Sequence, residues 1–290
     1  MIDVKPLAPF GARIEGIDLA TDDTPATQRR VIGALYQHRF VVIPGQVLTP
    51  AQFLRFGRAF GTPIPHVLDH LRLPGWPDIL PITNDRAHAR STADADRNGA
   101  AFWHTDQSYE AEPASSTMLY AIMAPDRGGQ TLIADMRAAY DALPEAMKER
   151  IDPLVVRHLY GSRDAGRDGE TEAAPLINDA QVAHVPPVLH ALVRRHPVTG
   201  RKALYALTGT ARGIRGMAEG AARALLGELK AHALQDRFIY SHHYRPGDVA
   251  IWDTCATLHS ATPIAWASDI RDTRFLHRIS VRGRPPVLAP

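Results

Sequence analysis

The stretch FWHTDQSY, residues 102–109, sets His104 and Asp106 two positions apart behind Phe102 and Trp103. Of the chain's 14 histidines, only His104 is followed two residues later by a carboxylate. On an extended segment, residues i and i+2 point the same way, so this pair can reach one ion together. The same spacing also suits two ordinary polar residues near the end of a strand. The octapeptide does not separate the two readings, and the rest of the chain must supply a third ligand and a scaffold.

A second stretch, GDVAIWDTCATLHSA (247–261), offers that ligand. A turn glycine opens a buried strand that runs through Trp252 and Asp253 into a short connection ending at His259. Two histidines and one carboxylate with open positions form the facial triad of non-heme Fe(II) oxygenases. The same three ligands can hold a catalytic zinc ion with water in the fourth position. Cys255, four residues before His259, admits a Cys-His nucleophile, or a small residue packed beneath the strand. The adjacent His242 and His243 point to opposite faces of a strand and cannot easily share one metal.

A third stretch, RFLHRISV (274–281), alternates. Arg274, Leu276, Arg278 and Ser280 share one face, and Phe275, His277, Ile279 and Val281 share the other, which reads mostly as core. The two guanidiniums lie about 13 Å apart by strand rise. If their face lines a barrel interior, each needs an anionic partner, and the planar fork of arginine suits carboxylates and sulfonates. If the strand is an edge, the same face is simply solvated.

Around these stretches the punctuation is clear. Thr24-Pro25 and Thr49-Pro50 each place a capping hydroxyl before a proline suited to the first helical position. The first opens a helix to about Gln37. The second opens TPAQFLRFGRAFG, whose Phe53, Phe56 and Phe60 fall at helical spacing until Gly61 stops it. Two further helices are expected near 136–150 and 217–235. Short β-like runs lie at 40–43, 117–123, 131–135, 154–160, 238–244, 248–253 and 274–281. They do not alternate regularly with helices, so the fold class is mixed α/β with a mainly β core, a sandwich or barrel carrying helices. The polar segments 84–101 and 161–185 are long for ordered loops and are expected to act as lids. Gly128-Gly129 is a single turn, too little for a phosphate loop.

Composition bounds the partners. The 290 residues carry a formal net charge of +2 with the basic residues scattered, which argues against nucleic acid or an acidic membrane surface. One cysteine rules out an internal disulfide framework. The N-terminal MIDVKPLAPFGARIEG has no apolar core of a secretory signal, and no run approaches a membrane span. The expectation is one cytoplasmic domain covering residues 1–290. A homo-oligomer, dimer or tetramer, is compatible with the sequence, which does not fix it.

Taken in order, FWHTD, GGQT, WDTCATLH and RFLHR resemble the taurine dioxygenase (TauD/TfdA) family of Fe(II)/2-oxoglutarate-dependent dioxygenases. The likeness runs from GARIEGIDLA and FVVIPGQ to the terminal arginine strand. The resemblance implies a distorted jelly roll (double-stranded β-helix) flanked by helices, with Fe(II), 2-oxoglutarate and O2 as cofactor and co-substrates. By that resemblance His104, Asp106 and His259 are the iron ligands and form the catalytic centre. Thr131 and Arg274 match the pair that holds the distal carboxylate of 2-oxoglutarate. Arg278 and His66 match contacts to the substrate's sulfonate, and Tyr109 falls where an aromatic residue covers the substrate. The partner implied is a small acidic molecule, a sulfonate, carboxylate or similar, oxidised at a C–H bond with release of succinate and CO2. Ala100, Leu207 and Thr210 depart from the taurine pattern, and the connection between His259 and Arg274 is longer. These departures fall on the substrate pocket and point to a different, bulkier acid. The alternative is a zinc-dependent hydrolase built on the same three ligands, which leaves Thr131 and Arg274 without a task.

Overall fold

The computed structural model describes residues 2–66, 69–89, 100–160, 186–207 and 209–288. Strands β1 (Asp3–Pro6), β2 (Ala12–Glu15) and β3 (Phe40–Ile43) open the chain, with helix α1 (Pro25–His38) between the second and third. Helix α2 (Pro50–Arg58) and strands β4 (Thr62–Pro63), β5 (Leu80–Thr83), β6 (Ser116–Met123) and β7 (Thr131–Asp135) follow. Helices α3 (Met136–Asp141) and α4 (Glu145–Ile151) lead to β8 (Val155–His158), β9 (Val188–Ala191), β10 (Val193–Arg195), β11 (Lys202–Leu204) and β12 (Ala211–Ile214). Helix α5 (Glu219–Ala233) precedes β13 (Ile239–His242), β14 (Val249–Asp253), β15 (Thr257–Ala261) and β16 (Phe275–Arg282).

The helix starts follow the capping chemistry. Thr24 accepts from the backbone N–H of Thr27. Thr49 and Gln52 satisfy each other's backbone N–H groups in a capping box, with Pro50 in the first turn. Both helices lay an apolar face on a large sheet of order β1-β2-β3-β14-β6-β16-β4, with β5 also on β16. Val31, Ile32, Leu35, Phe53, Phe56 and Phe60 pack there against Val41, Met118, Ile251 and Ile279.

The other face of this sheet meets a smaller sheet, β13-β7-β15. Phe40, Leu119, Ala121, Ala250, Trp252 and Leu276 of the large sheet form one buried cluster with Ile133 of β7 and Tyr244. Helices α3 and α5 cover the smaller sheet's outer face through Met136, Tyr140, Leu225 and Leu229, with Ala134 and Leu258 beneath them. Two sheets facing across a core, both backed by helices, make the distorted jelly roll that the resemblance implied.

The expected helix over 136–150 is two helices. Pro144 stands at the N-cap of α4, and a proline inside one continuous helix would remove an N–H donor and clash with the preceding turn. His259 does not end a connection but lies within strand β15, whose pairing with β7 sets His259 opposite Ile133. Gly61 does not stop α2, which ends at Arg58. Its φ is +153°, and a Cβ there would overlap the carbonyl oxygen of Arg282, so a close crossing of β16 requires the glycine. The lid expected at 161–185 lies outside the described residues, as do positions 90–99 of the one expected at 84–101. No helix among the described residues is long and apolar enough to cross a membrane.

Gly61→Ala is expected to destabilise the protein by about 2 kcal/mol or more through overpacking against a backbone that cannot yield. Urea unfolding checks this, and a midpoint equal to that of the unsubstituted protein contradicts the close-approach account.

Candidate active site

His104 reaches the smaller sheet through one isolated antiparallel bridge to His259. His104 N donates to His259 O at 2.8 Å, and His259 N donates to His104 O at 3.0 Å. This bridge brings the two imidazoles together, with ring centroids 4.1 Å apart and planes tilted by 48°. Trp252 packs on the other ring at 4.6 Å. His104 Nδ1 lies 2.8 Å from Phe102 O, and a carbonyl can only accept, so Nδ1 carries the proton and Nε2 keeps its lone pair. That Nε2 faces Asp106 Oδ1 at 4.0 Å, and His259 Nε2 faces Asp106 Oδ2 at 3.6 Å. One donor atom from each of the three side chains lies within 4.8 Å of the others.

Asp106 is 4 % exposed. Burial alone pushes its carboxyl up, yet His259, Arg278, His104 and the Thr117 hydroxyl outweigh it and hold the group well below the usual carboxylate range. Thr117 Oγ1 donates to Oδ2 at 2.7 Å, and Arg278 Nη1 approaches Oδ1 at 3.4 Å. Burial, then repulsion from His104, pushes His259 down to about 3 against the attraction of Asp106. His104 is lowered as well, chiefly by burial. Two neutral imidazoles and one carboxylate therefore face a common point, a donor set that fits a divalent cation of the first transition row. The Nδ1–H of His104 on a backbone carbonyl is the outer contact that fixes a metal-binding tautomer.

A second group with ligand-type side chains shows the opposite arrangement. His196, Asp253 and Cys255 also lie together. His196 Nδ1, however, accepts from the N–H groups of Val198 and Thr199 at 3.2 and 3.1 Å. The proton therefore sits on Nε2, which donates to Asp253 at 3.1 Å, and no lone pair is left for an ion. Burial and Asp253 push the Cys255 thiol up to about 12, which removes the nucleophile reading. His242 pairs with Asp248 at 3.4 Å while His243 contacts Pro125 O at 3.3 Å, so the adjacent histidines do diverge.

Thr131 opens β7 opposite Ala261, two residues beyond His259. Its Oγ1 shares a 2.9 Å hydrogen bond with the hydroxyl of the buried Tyr244. Arg274 is 3 % exposed, and its charge lies near enough to lower Tyr244, although burial dominates that phenol. Gly129, at φ +67°, leaves room for the Arg274 stem, because a Cβ there would stand 3.3 Å from Arg274 Cδ. The backbone of Arg274 is fixed by Asn84, the first residue of the 84–101 segment. Asn84 Oδ1 accepts from Arg274 N at 2.7 Å, and its Nδ2 donates to Ala265 O and Asp272 O at 2.8 and 2.9 Å.

Arg278 sits on the inward face of β16 beside the three-residue group, which excludes the solvated-edge reading of that strand. Tyr109 packs on Tyr160 with ring centroids 4.3 Å apart, and the charge of Arg278 is felt at both phenols. His66 is half-buried after β4, and its carbonyl accepts both Nε and Nη2 of Arg72. Two of the residues that depart from the taurine pattern serve other purposes. Leu207 is buried in the core beneath α5, and the Thr210 hydroxyl bonds Ser108 Oγ at 2.8 Å and His158 Nδ1 at 2.9 Å. Thr117, Tyr244, Tyr160 and Asn84 were not anticipated, since a lone Thr, Tyr or Asn carries no spacing signal.

These features have counterparts in known proteins. The family described as "Taurine catabolism dioxygenase TauD, TfdA family" matches residues 3–280. The chain belongs to this family of alpha-ketoglutarate-dependent dioxygenases, enzymes of the non-heme Fe(II) type that use 2-oxoglutarate and O2. It is 34 % identical to an (S)-phenoxypropionate/alpha-ketoglutarate-dioxygenase of Sphingobium herbicidovorans, over 98 % of this chain and 96 % of that protein. It is 31 % identical to an alpha-ketoglutarate-dependent 2,4-dichlorophenoxyacetate dioxygenase of a Burkholderia species, over 97 % and 94 %. The crystal structure of a taurine dioxygenase from Burkholderia xenovorans superposes with a TM-score of 0.78 at 27 % identity, covering 97 % of this chain and 89 % of that one. The family membership does not favour the zinc hydrolase.

The buried imidazoles give the fold a pH dependence. His158 and His277 are pushed down to about 3 and about 4, chiefly by burial. Each is neutral when folded, so its stabilising contribution is complete above the unfolded value near 6.5 and is lost as pH falls toward the folded value. At pH 5 His158 alone is expected to cost roughly 2 kcal/mol relative to pH 7.5. Thermal unfolding at the two pH values checks this, and the drop should shrink in His158→Gln.

Proposed function

We propose that the chain is a dioxygenase of small aryl-bearing carboxylic acids, acting as one catalytic domain over residues 1–290. His104, Asp106 and His259 hold Fe(II) through two Nε2 atoms and a carboxylate oxygen. Thr131 and Arg274 hold the distal carboxylate of 2-oxoglutarate, with Tyr244 keeping the Thr131 hydroxyl in place. When bound, Fe(II), 2-oxoglutarate and O2 together supply the oxidant for a C–H bond, with succinate and CO2 as co-products.

The chain's own task is placement. The observation that carries the reading is Arg278. It is a guanidinium on the inward face of β16, 3.4 Å from Asp106 and with its charge reaching the paired rings of Tyr109 and Tyr160. An acid anchored by Arg278, with His66 as a second polar contact, would present its neighbouring carbon toward the iron. Tyr109 and Tyr160 would offer a flat apolar surface to an aromatic ring on the same molecule. Ala100, small where the taurine pattern has an asparagine, suits a bulkier ligand. The phenoxypropionate and phenoxyacetate relatives, which align over nearly the whole chain, support the same class. Hydroxylation of a carbon attached to an ether oxygen would let the product separate into a phenol and a carbonyl acid.

With Fe(II), 2-oxoglutarate and O2, a phenoxyalkanoic acid should raise succinate release well above the substrate-free rate and yield a phenol, and taurine should not. His104→Ala should abolish succinate release, and unchanged turnover would sink the iron-site assignment. Arg274→Gln is expected to raise KM for 2-oxoglutarate about 10- to 100-fold, the value of a lost charge-assisted contact. Arg278→Gln should raise KM for the aryl acid by a similar factor, and an unchanged KM for that acid would contradict the anchor.

A further inference from the structure

The carboxylate of Asp106 has a support that none of the motifs pointed to. Thr117 on β6 and Ser280 on β16 are direct register partners, and they are 0 % and 2 % exposed. Thr117 Oγ1 lies 2.7 Å from Asp106 Oδ2 and 2.9 Å from Ser280 Oγ. An ionised carboxylate only accepts, so the single Thr117 proton goes to Asp106. The proton between the two hydroxyls must then come from Ser280. The order is fixed as Ser280 to Thr117 to Asp106, a chain in which each bond polarises the next.

Asp106 needs such a support for two reasons. Its segment joins the smaller sheet at Ala100 and His104, and the residue itself lies outside any strand pairing. The terminal torsion of an aspartate is also broad and has no sharp preferred setting. A donor on one oxygen is what sets the plane of the carboxylate. Arg278, two residues before Ser280 on the same face of β16, contacts the other oxygen at 3.4 Å. One strand face therefore governs both oxygens, directly at Oδ1 and through Thr117 at Oδ2.

We propose that Thr117 and Ser280 are positioning residues, a two-hydroxyl relay that orients Asp106 for metal binding. The inference rests on the reading of His104, Asp106 and His259 as the metal ligands. Mn(II) titration by calorimetry, without 2-oxoglutarate, tests it, with thermal melts run on every variant. Thr117→Val keeps the shape and removes the donor, and it should weaken Mn(II) binding about 10- to 100-fold, the usual cost of losing a contact behind a ligand. Thr117→Ser should restore most of the affinity. Ser280→Ala should weaken binding by a smaller factor and add nothing in the Thr117→Val background, because it acts through Thr117.

Wild-type Mn(II) affinity in a folded Thr117→Val protein overturns the relay. Should that variant not fold, wild-type affinity in Ser280→Ala overturns it instead. His104→Ala separates the two levels of the argument. If it binds Mn(II) as well as the wild type, the ligand assignment itself fails. If it loses binding while Thr117→Val does not, only the relay fails.

Discussion

An almost fully buried carboxylate has to be compensated, and much of the site's architecture can be read as the answer to that demand at Asp106. Removing an ionised group from water is prohibitive unless charges and donors replace the water. Around Asp106 the charge comes from Arg278 on β16 and the donor from Thr117 on β6, while the neutral rings of His104 and His259 face the same carboxylate. No local stretch supplies both, so the carboxylate is compensated only where β6 and β16 are paired in the large sheet. The site is in this sense a product of the completed core and not an ornament on it.

The two sheets divide the work. The smaller one carries His259 and Thr131 on adjacent strands, and its pairing sets the distance between the metal position and the proposed co-substrate end. The large one carries Arg274 just before β16, then Arg278 and Ser280 within it, so one strand leads from the proposed co-substrate anchor to the residues that contact or support Asp106. Tyr244 and Gly129 bind these halves together, the first through a hydroxyl and the second by leaving out a side chain.

The primary structure disclosed those parts of this arrangement that depend on spacing. His104 and Asp106 at i and i+2, the alternation of Arg278 with Ile279, and the Thr-Pro helix starts are local patterns, and the structure keeps them. The order of the motifs along the chain was what joined distant His259 to the pair. Thr117 and Ser280 stayed hidden because hydroxyl residues are ordinary on any strand, and their meaning depends on the register that sets them opposite each other. Gly61 was misread for a related reason, since a helix stop and a close crossing both call for glycine. The break at Pro144 was available in the sequence, but helix formers on either side of it masked the boundary.

The isolated bridge at His104 and His259 has a bearing on how such a site can diversify. His259, Thr131 and Arg274 lie on or beside paired strands, where a change in one side chain disturbs a neighbour across the sheet. The stretch from Ala100 to Tyr109 is tied to the smaller sheet by three backbone hydrogen bonds, at His104 and between Ala100 and Ala261. Side chains on it other than His104 and Asp106 can be exchanged without altering any strand register. Substrate preference can therefore drift along this stretch while the oxidising centre stays constant, an anatomical separation of what the enzyme does from what it does it to.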